Sequence, residues 1–271
     1  MRQANDWAMI ATDLDGTLLD SRKRVSARNI EALVACGRRG MRIVFATARP
    51  ARSVRRLLPE ELMRIGTVIA YNGAYVCDER NRTIARTLIP KPFSEEIIAY
   101  CAEHGGLPGL LIESDDTAYA AAPPNLADWG ALTPPNAAEA EELMRLPASK
   151  LLLHRFGRED ELRERFGSQV EIVSTDGGDL LHIMPLGVSK ASALRAVCEL
   201  MGIELRQAVV FGDDSNDLEL FRTEAYKVAM GNALPALKSL ADTVTASNDE
   251  DGVALALERL TAGDGIHASA N

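Results

Sequence analysis

Apolar runs and amphipathic segments alternate along the first third of the chain. The runs Ala8–Thr12, Met41–Ala46 and Thr67–Tyr71 have the length and composition of buried strands. The segments between them, 26–39 and 52–63, are predicted to be helices, and a serine at the start of the first can cap it. Strands that alternate with helices in this way predict a parallel sheet covered by helices.

The last third of the chain resumes this alternation. Ser189 can cap a helix over Lys190–Met201, whose apolar residues share one face. The further predicted elements are strands at Ala208–Phe211 and Tyr226–Ala229, and helices that begin near Leu218, Asn232 and Val253.

The middle of the chain has a different composition. Nine of the twelve prolines lie between Thr83 and Pro185, among segments that resemble both helices and strands. We expect an α+β domain at residues 83–185, inserted into a core formed by residues 1–82 and 186–271. The predicted fold class is therefore α/β, with a Rossmann-like, doubly wound parallel sheet as the core.

Composition and charge limit the classes of partner. The 271 residues are 46% hydrophobic and 25% charged, which is typical of globular proteins and leaves enough apolar residues for a core. The formal net charge of −9 argues against broad binding to nucleic acid or to an anionic membrane surface. A small anionic substrate remains compatible with this charge if local cations or a metal ion hold it.

Cysteine usage and hydropathy bear on location. The four cysteines are scattered, with no spacing typical of a zinc site or a disulfide framework, so free buried thiols are expected. No run of apolar residues is long enough for a membrane span, and the first residues lack the apolar stretch of a signal peptide. A cytoplasmic location follows as the default expectation, and the sequence leaves the oligomeric state open.

Two acidic turns follow predicted strands directly. Asp13 and Asp15 alternate after the first strand, so both carboxylates can face one site, as a nucleophile and a general acid/base require. The run Gly212–Asp217 follows another strand, and ligands of open α/β sheets bind at this strand edge. A solvated acidic turn is the alternative, whereas a calcium loop is disfavoured because the glycine position of that loop holds leucine in both turns. Converging carboxylates favour a hard cation, and Mg²⁺ suits a site that also holds a phosphate.

Two further residues supply donors for an anion. Thr47 follows the second predicted strand, where its hydroxyl and nearby backbone N–H groups could hold a phosphate, although an ordinary helix cap is the alternative. Lys190 lies in the first turn of a predicted helix, where a cation is unfavourable for the helix dipole. This position suggests that Lys190 serves a group outside the helix, although an exposed lysine is the commoner case.

These four features together resemble the haloacid dehalogenase superfamily of phosphohydrolases. The four family motifs occur in order: DLDGT at Asp13–Thr17, the threonine of FATAR at Thr47, the lysine at Lys190, and GDDSND at Gly212–Asp217. The segments NGA at residues 72–74 and MGNA at residues 230–233 are similar to the Cof-type subfamily. The resemblance implies a phosphatase with an inserted class-IIB cap, which acts as a lid that excludes water and reads the leaving group.

The resemblance also implies roles for these residues. Asp13 would attack phosphorus and form an aspartyl-phosphate, while Asp15 would protonate the leaving oxygen and then activate water. A raised pKa is expected for Asp15, because an acid must carry a proton. Thr47 and Lys190 would hold the phosphoryl group, and Asn216 would contact it. Mg²⁺ would be bound by Asp13, by the backbone carbonyl of Asp15 and by Asp213, with Asp217 in support.

Specificity is expected to depend on residues around these motifs. Ala48, Arg49 and Asn72 from the core are candidates for substrate or phosphate binding, and His182 of the insert is another, with a packed or surface histidine as its alternative. The arginines on the helix after Thr47 are expected to form a solvated face rather than a nucleic-acid patch. The expected substrate is a small phosphorylated metabolite, in particular a sugar phosphate. A phosphomutase of the same superfamily and a non-catalytic phosphometabolite sensor are the alternatives.

Overall fold

The computed structural model describes residues 7–121, 134–175 and 179–262. The chain divides into two compact units, Met1–Ile84 with Ser189–Asn271, and Ala85–Val188. These boundaries lie two and three residues away from the predicted ones. The assignment of the two units as a catalytic core and a cap stays a prediction.

The first unit is built on an eight-stranded sheet with the order β14-β13-β12-β1-β2-β3-β4-β5. Its strands are β1 (Met9–Thr12), β2 (Arg42–Ala46), β3 (Gly66–Ala70), β4 (Tyr75–Cys77), β5 (Thr83–Arg86), β12 (Ala208–Gly212), β13 (Tyr226–Ala229) and β14 (Thr243–Val244). The pairs from β14 to β3 are parallel, and β4 runs antiparallel to β3. The parallel core confirms the predicted α/β class.

The register of the central strands brings their carboxyl ends level at one edge of the sheet. Thr12 of β1 is level with Phe211 of β12 on one side and with Phe45 of β2 on the other. Along the chain, β2 and β3 are added to the sheet on one side of β1, and β12, β13 and β14 are added on its other side. The sheet order therefore reverses between β1 and β12, which is where ligands bind in open α/β sheets.

The helices of the first unit differ in part from those predicted. They are α1 (Ala27–Arg38), α2 (Ala51–Leu57), α3 (Glu60–Met63), α7 (Lys190–Met201), α8 (Pro235–Leu240) and α9 (Gly252–Ala262). The single helix predicted over residues 52–63 is wrong: Pro59 lacks an N–H and forces Leu58 out of the helical region, to φ −88° and ψ 140°. The helix predicted from Leu218 is also absent, and 3-10 turns occupy 215–217 and 220–222.

The second unit combines a mainly antiparallel sheet with helices. The strands are β6 (Leu110–Ser114), β7 (Thr117–Ala120), β8 (Asn136–Ala137), β9 (Lys150–His154), β10 (Val170–Thr175) and β11 (Leu180–Pro185), in the order β10-β11-β9-β6-β7-β8. The helices are α4 (Lys91–Glu103), α5 (Ala140–Arg145) and α6 (Glu159–Phe166). Apolar residues such as Ile97, Leu151 and Ile183 form one buried cluster in this unit.

Two expectations on thiols and membrane spans can be compared with the structure. All four cysteines are buried free thiols, as predicted. Among the described residues, no helix combines the length and the apolar character that crossing a bilayer requires.

Candidate active site

Asp13 lies where β1 ends, beside the neighbouring strand β12. Its backbone N–H donates to the carbonyl of Phe211 at 3.1 Å, which continues the strand pairing by one residue. The backbone is therefore fixed at this residue, and the carboxylate is almost completely buried. Burial raises the pKa of Asp13 to about 7, and repulsion from Asp217 adds to this, although Lys190 opposes it.

Lys190 provides the cation for this carboxylate from the first turn of α7. Its Nζ donates to Asp13 Oδ1 at 2.6 Å and to Asp217 Oδ1 at 2.8 Å. Burial alone would lower the pKa of Lys190, but the two carboxylates outweigh this effect and raise it. Ser189 fixes the start of the helix, because its hydroxyl accepts from the N–H of Ser192, whose hydroxyl accepts from the N–H of Ser189.

Asp217 links Lys190 to the turn that follows β12. Its second oxygen accepts from the backbone N–H groups of Asp213 at 3.1 Å and Asp214 at 3.3 Å. Asp213 is held in turn by Thr17, whose hydroxyl donates to Asp213 Oδ1 at 2.7 Å. Burial raises the pKa of Asp213 to about 6 against the effect of this hydrogen bond, and the charge of Asp217 contributes to the rise.

The side chains of Asp13, Asp213 and Asp217 can hold a metal ion. One carboxylate oxygen from each lies within 4.8 Å of the others. All of these donors are hard oxygens, which fits Mg²⁺ better than a soft metal. Burial is the main cause of the raised pKa values of Asp13 and Asp213, and repulsion from neighbouring carboxylates adds to it, which a bound cation would relieve.

Gly16 keeps the turn after Asp15 close to these carboxylates. Its φ is +78°, and a Cβ at this position would lie 2.1 Å from Asp213 Oδ2. The side chain of Asn232 donates to the Gly16 carbonyl at 2.8 Å and fixes the turn from the other side. The DLDGT turn therefore needs glycine here both for its backbone conformation and for space.

Asp15 differs from the sequence-based expectation. Arg49 binds its carboxylate in a bidentate pair, at 2.6 Å and 2.7 Å, and Lys23 Nζ donates to Oδ1 at 2.7 Å. Burial acts to raise the pKa of Asp15, but the hydrogen bonds and charges of Arg49 and Lys23 hold it below the usual value. The expectation of a raised pKa is therefore wrong for this arrangement, because two cations stabilise the ionised form.

Thr47 and its neighbours form the loop after β2. The Thr47 backbone donates to the Ile69 carbonyl at 2.8 Å, and its carbonyl accepts from Asn72 N at 2.9 Å. Its hydroxyl accepts from the N–H of Arg49 at 3.1 Å, which leaves the hydroxyl proton for an anion. Ala48 lies between them, half-buried.

The turn after β3 supports this loop from the next position in the sheet. Tyr71 and Asn72 have φ values of +51° and +54°, which are strained for residues with side chains. A Cβ on Gly73 would lie 2.3 Å from the Ser189 carbonyl, so glycine lets this turn approach the start of α7. The side chains of Asn72 and Asn216 meet at 3.3 Å, with Asn216 as the donor.

His182 and the arginines that follow Thr47 belong to different units of the chain. His182 lies on β11 of the second unit, where burial and the charge of Lys150 lower its pKa to about 3. Arg52 on α2 donates to the Tyr71 hydroxyl at 2.9 Å, and Arg55 donates to Asn81. The arginines after Thr47 therefore differ: Arg49 lies before α2 and contacts Asp15, whereas Arg52 lies on α2 and supports the turn at Tyr71.

Sequence reasoning missed three residues of the site. The DLDGT motif alone does not predict the role of Thr17, whose hydroxyl orients Asp213. The MGNA segment contains Asn232, but its hydrogen bond to Gly16 joins distant parts of the chain and has no local signal in the sequence. Lys23 lies six residues beyond the motif. The turn from Asp20 to Arg24 brings it back toward Asp15, and the acidic residue at the start of this turn is the available sequence signal.

Comparisons with known proteins bear on the class of protein to which this chain belongs. The sequence profile described as haloacid dehalogenase-like hydrolase matches residues 10–257. A 5-amino-6-(5-phospho-D-ribitylamino)uracil phosphatase of Bacillus subtilis (strain 168) is 29% identical, over 94% of this chain and 98% of the relative. A phosphoglycolate phosphatase of Methanothermobacter thermautotrophicus is 28% identical, over 92% of this chain and 97% of the relative.

A solved structure supports the same grouping. The crystal structure of TM0651 from Thermotoga maritima aligns with a TM-score of 0.84 at 30% identity, covering 93% of this chain and 97% of that one. The fold match and the names of the relatives confirm the family resemblance and the expected enzyme class, a phosphoric monoester hydrolase. The chain belongs to the haloacid dehalogenase-like hydrolase family.

Proposed function

We propose that this protein is a Mg²⁺-dependent phosphatase that hydrolyses a small phosphorylated metabolite through an aspartyl-phosphate on Asp13. The observation that carries the proposal is the buried set of Asp13, Lys190 and Asp217 beside the half-buried Asp213, with Asp15 and Thr47 in the adjoining turns. The relatives named as phosphatases support the reaction class.

The first half of the reaction transfers the phosphoryl group to the enzyme. An oxygen of Asp13 attacks phosphorus, the bond from phosphorus to the ester oxygen breaks, and Asp15 gives a proton to the departing oxygen. Lys190 orients the Asp13 carboxylate and places positive charge beside the phosphoryl oxygens. Thr47 and the N–H groups of its loop donate to these oxygens, while Asn216 contacts them from the opposite turn.

Asp13, Asp213 and the carbonyl of Asp15 would hold Mg²⁺, with Asp217 in support. When bound, Mg²⁺ supplies positive charge that lessens the repulsion between the carboxylate nucleophile and the phosphate dianion. Thr17 and Asp217 act indirectly, because they fix the side chain and the backbone of Asp213.

The second half returns the enzyme to its starting state. Asp15, now a carboxylate, takes a proton from a water molecule that attacks phosphorus. The bond from phosphorus to Asp13 breaks, and inorganic phosphate leaves. Before the first step, Asp15 must exchange its ion pairs with Arg49 and Lys23 for a proton, because these cations favour its ionised form.

The proposed leaving group is that of a sugar phosphate or a related small metabolite. The second unit is proposed to act as the cap that recognises this group, with His182 as one candidate residue. A cytoplasmic location is proposed with the substrate class, since phosphorylated metabolites are cytoplasmic compounds.

The test is phosphate release from p-nitrophenyl phosphate with and without Mg²⁺. The wild type is expected to require the metal, and Asp13→Asn is expected to lose turnover because an amide is not a nucleophile. Asp214→Asn is the matched control, because it removes an exposed carboxylate of the same turn whose side chain accepts hydrogen bonds from that turn and which is not a proposed metal ligand. Equal activity of Asp13→Asn and wild type would refute the proposed nucleophile.

A further inference from the structure

Lys23 lies on a turn that is built to present it. Asp20 Oδ1 accepts from the backbone N–H groups of Arg22 at 2.9 Å and Arg24 at 2.8 Å, so one side chain closes the turn. Lys23 has a φ of +59°, an unfavourable conformation for a residue with a long side chain. The surrounding hydrogen bonds therefore hold Lys23 in a conformation that it would rarely adopt alone.

The turn is also anchored to a distant part of the core unit. Ser21 N donates to Asp249 Oδ1 at 2.7 Å, and the side chain of Asn248 donates to the Leu19 carbonyl at 2.9 Å. Both residues belong to the segment before α9. The backbone that carries Lys23 is thus positioned independently of the contact that its ammonium makes with Asp15.

Arg49 and Lys23 contact the same carboxylate but differ in their reach. Arg49 forms a bidentate ion pair with Asp15 and is also attracted electrostatically to the charge of Asp13. Lys23 forms its ion pair with Asp15. In the proposed reaction Asp13 faces phosphorus and Asp15 faces the leaving oxygen, so Arg49 adjoins both groups and Lys23 adjoins the leaving-group side.

The ion pair of Lys23 is suited to exchange. Its side chain is 53% exposed and that of Asp15 is 35% exposed, so water screens the pair and its net contribution is small. An incoming anion can replace Asp15 as the partner of Lys23 at little cost. By contrast, the buried Lys190 forms ion pairs with Asp13 and Asp217 that water does not screen.

We infer that Lys23 is a specificity-determining residue that binds an acidic group on the leaving group, close to the ester oxygen. This inference rests on the proposed phosphatase function and narrows its substrate class. The favoured substrates carry a carboxylate or a second phosphoryl group next to the scissile bond, as in a phosphorylated sugar acid or hydroxy acid, or a diphosphate. Neutral alcohols of the same size lack the anion that Lys23 would bind.

The test compares two phosphate esters that differ in this group alone, together with a diphosphate. 2-Phosphoglycolate and 2-hydroxyethyl phosphate differ by a carboxylate in place of a hydroxymethyl group, and inorganic pyrophosphate provides the second phosphoryl group. Phosphate release is measured for the wild type, Lys23→Met and Lys23→Arg. Arg22→Met is the matched control, since it removes a neighbouring exposed cation from the same turn.

Lys23→Met is expected to lower kcat/KM for the acidic probes about tenfold, mainly through KM, because a charged hydrogen bond to the substrate is lost. Any change that follows from losing the Lys23–Asp15 ion pair is shared by 2-hydroxyethyl phosphate, so the readout is the ratio of kcat/KM for the acidic probes to kcat/KM for this neutral probe, which should fall about tenfold. Lys23→Arg should retain the preference, and Arg22→Met should behave as wild type. A lower kcat/KM of Lys23→Met for phosphoglycolate alone would identify a carboxylate as the group recognised. A lower kcat/KM for pyrophosphate alone would identify a phosphoryl group.

Equal effects of Lys23→Met on acidic and neutral probes would overturn the inference while leaving the phosphatase in place. A wild type that hydrolyses 2-hydroxyethyl phosphate with Mg²⁺ but shows no preference for the acidic probes would do the same. Absence of hydrolysis of every probe, including p-nitrophenyl phosphate, would instead overturn the proposed function and this inference together.

Discussion

Removal of the Lys190 ammonium tests how the buried charges of the site balance. The side chains of Lys190 and Asp217 are 0% exposed and that of Asp13 is 6% exposed, so water contributes little to their solvation. Lys190→Met keeps most of the side-chain volume and leaves two buried carboxylates without a cation. We expect the free energy of unfolding in EDTA at pH 7.5 to fall by about 3–5 kcal/mol. This is a large part of the roughly 5–15 kcal/mol typical of a folded protein.

A second substitution identifies the source of this loss. In Lys190→Met with Asp217→Asn, one of the two carboxylates is gone, and the new amide oxygen can still accept from the N–H groups of Asp213 and Asp214. The double variant is expected to regain about 1–3 kcal/mol relative to Lys190→Met, because the two substitutions act on one charge network. Added Mg²⁺ should also stabilise Lys190→Met, since a cation that binds the folded state favours it.

The assay must report on the core unit. Trp7 is buried there, with its ring 5.2 Å from that of Tyr226, whereas Trp129 lies outside the described residues. Urea unfolding followed by fluorescence in a Trp129→Phe background therefore reports on Trp7. Lys227→Met is the control, because its partly exposed ion pair with Asp242 should contribute about 1 kcal/mol or less. The reasoning would be refuted if Lys190→Met lowered the free energy of unfolding no more than Lys227→Met does. It would also be refuted if the double variant were no more stable than Lys190→Met.

Three further predictions concern the turn at Gly16, the pH dependence of stability and the start of α7. Gly16→Ala is expected to displace Asp213 and lower Mg²⁺-dependent kcat/KM by about 100-fold or more, with an unchanged circular dichroism spectrum; near-normal activity would contradict it. His182, with its pKa lowered to about 3 by burial and by Lys150, stays neutral when folded but takes up a proton near pH 6.5 when unfolded, so its contribution to stability should fall as the pH drops from 6.5 toward 3, by at most about 1.4 kcal/mol per pH unit. Between pH 7.5 and 5 the wild type should therefore lose stability relative to His182→Gln in urea unfolding, and a constant difference between the two would exclude this cause. Ser189→Ala removes the N-cap acceptor and should lower stability by about 1 kcal/mol in thermal melts, and an unchanged melting temperature would argue against the cap.

The sequence sufficed for the central strands because they are buried on both faces. β1, β2 and β12 are continuous apolar runs, and the polar residues that follow them had to lie at one edge of a parallel sheet. The short edge strand β14 was missed, because two residues carry too little periodicity to distinguish a strand from a loop. The break between α2 and α3 follows from Pro59, which the prediction of one helix over residues 52–63 does not take into account.

The electrostatics of Asp15 could not be predicted from the motif. Its place beside Asp13 follows from the alternation along an extended segment, but its protonation depends on side chains that the motif does not include. Lys23 reaches it across a turn that Asp20 closes, and Arg49 reaches it from the loop after β2. Burial alone would have raised the pKa, as it does for Asp13, so two cations account for the opposite direction.

Burial separates the two lysines of the site into different roles. Lys190 and Lys23 make contacts of similar length with aspartates, at 2.6 Å and 2.7 Å, so distance does not distinguish them. The first pair is shielded from water, and breaking it would leave charges that nothing solvates, so Lys190 keeps the nucleophile in one position. The second pair is half in water and is readily exchanged, so Lys23 can follow the substrate. The turn of Asp13 and Asp15 thus joins a rigid site for the phosphoryl group to an adaptable site for the leaving group. Contacts to the leaving group can therefore change without displacing the nucleophile.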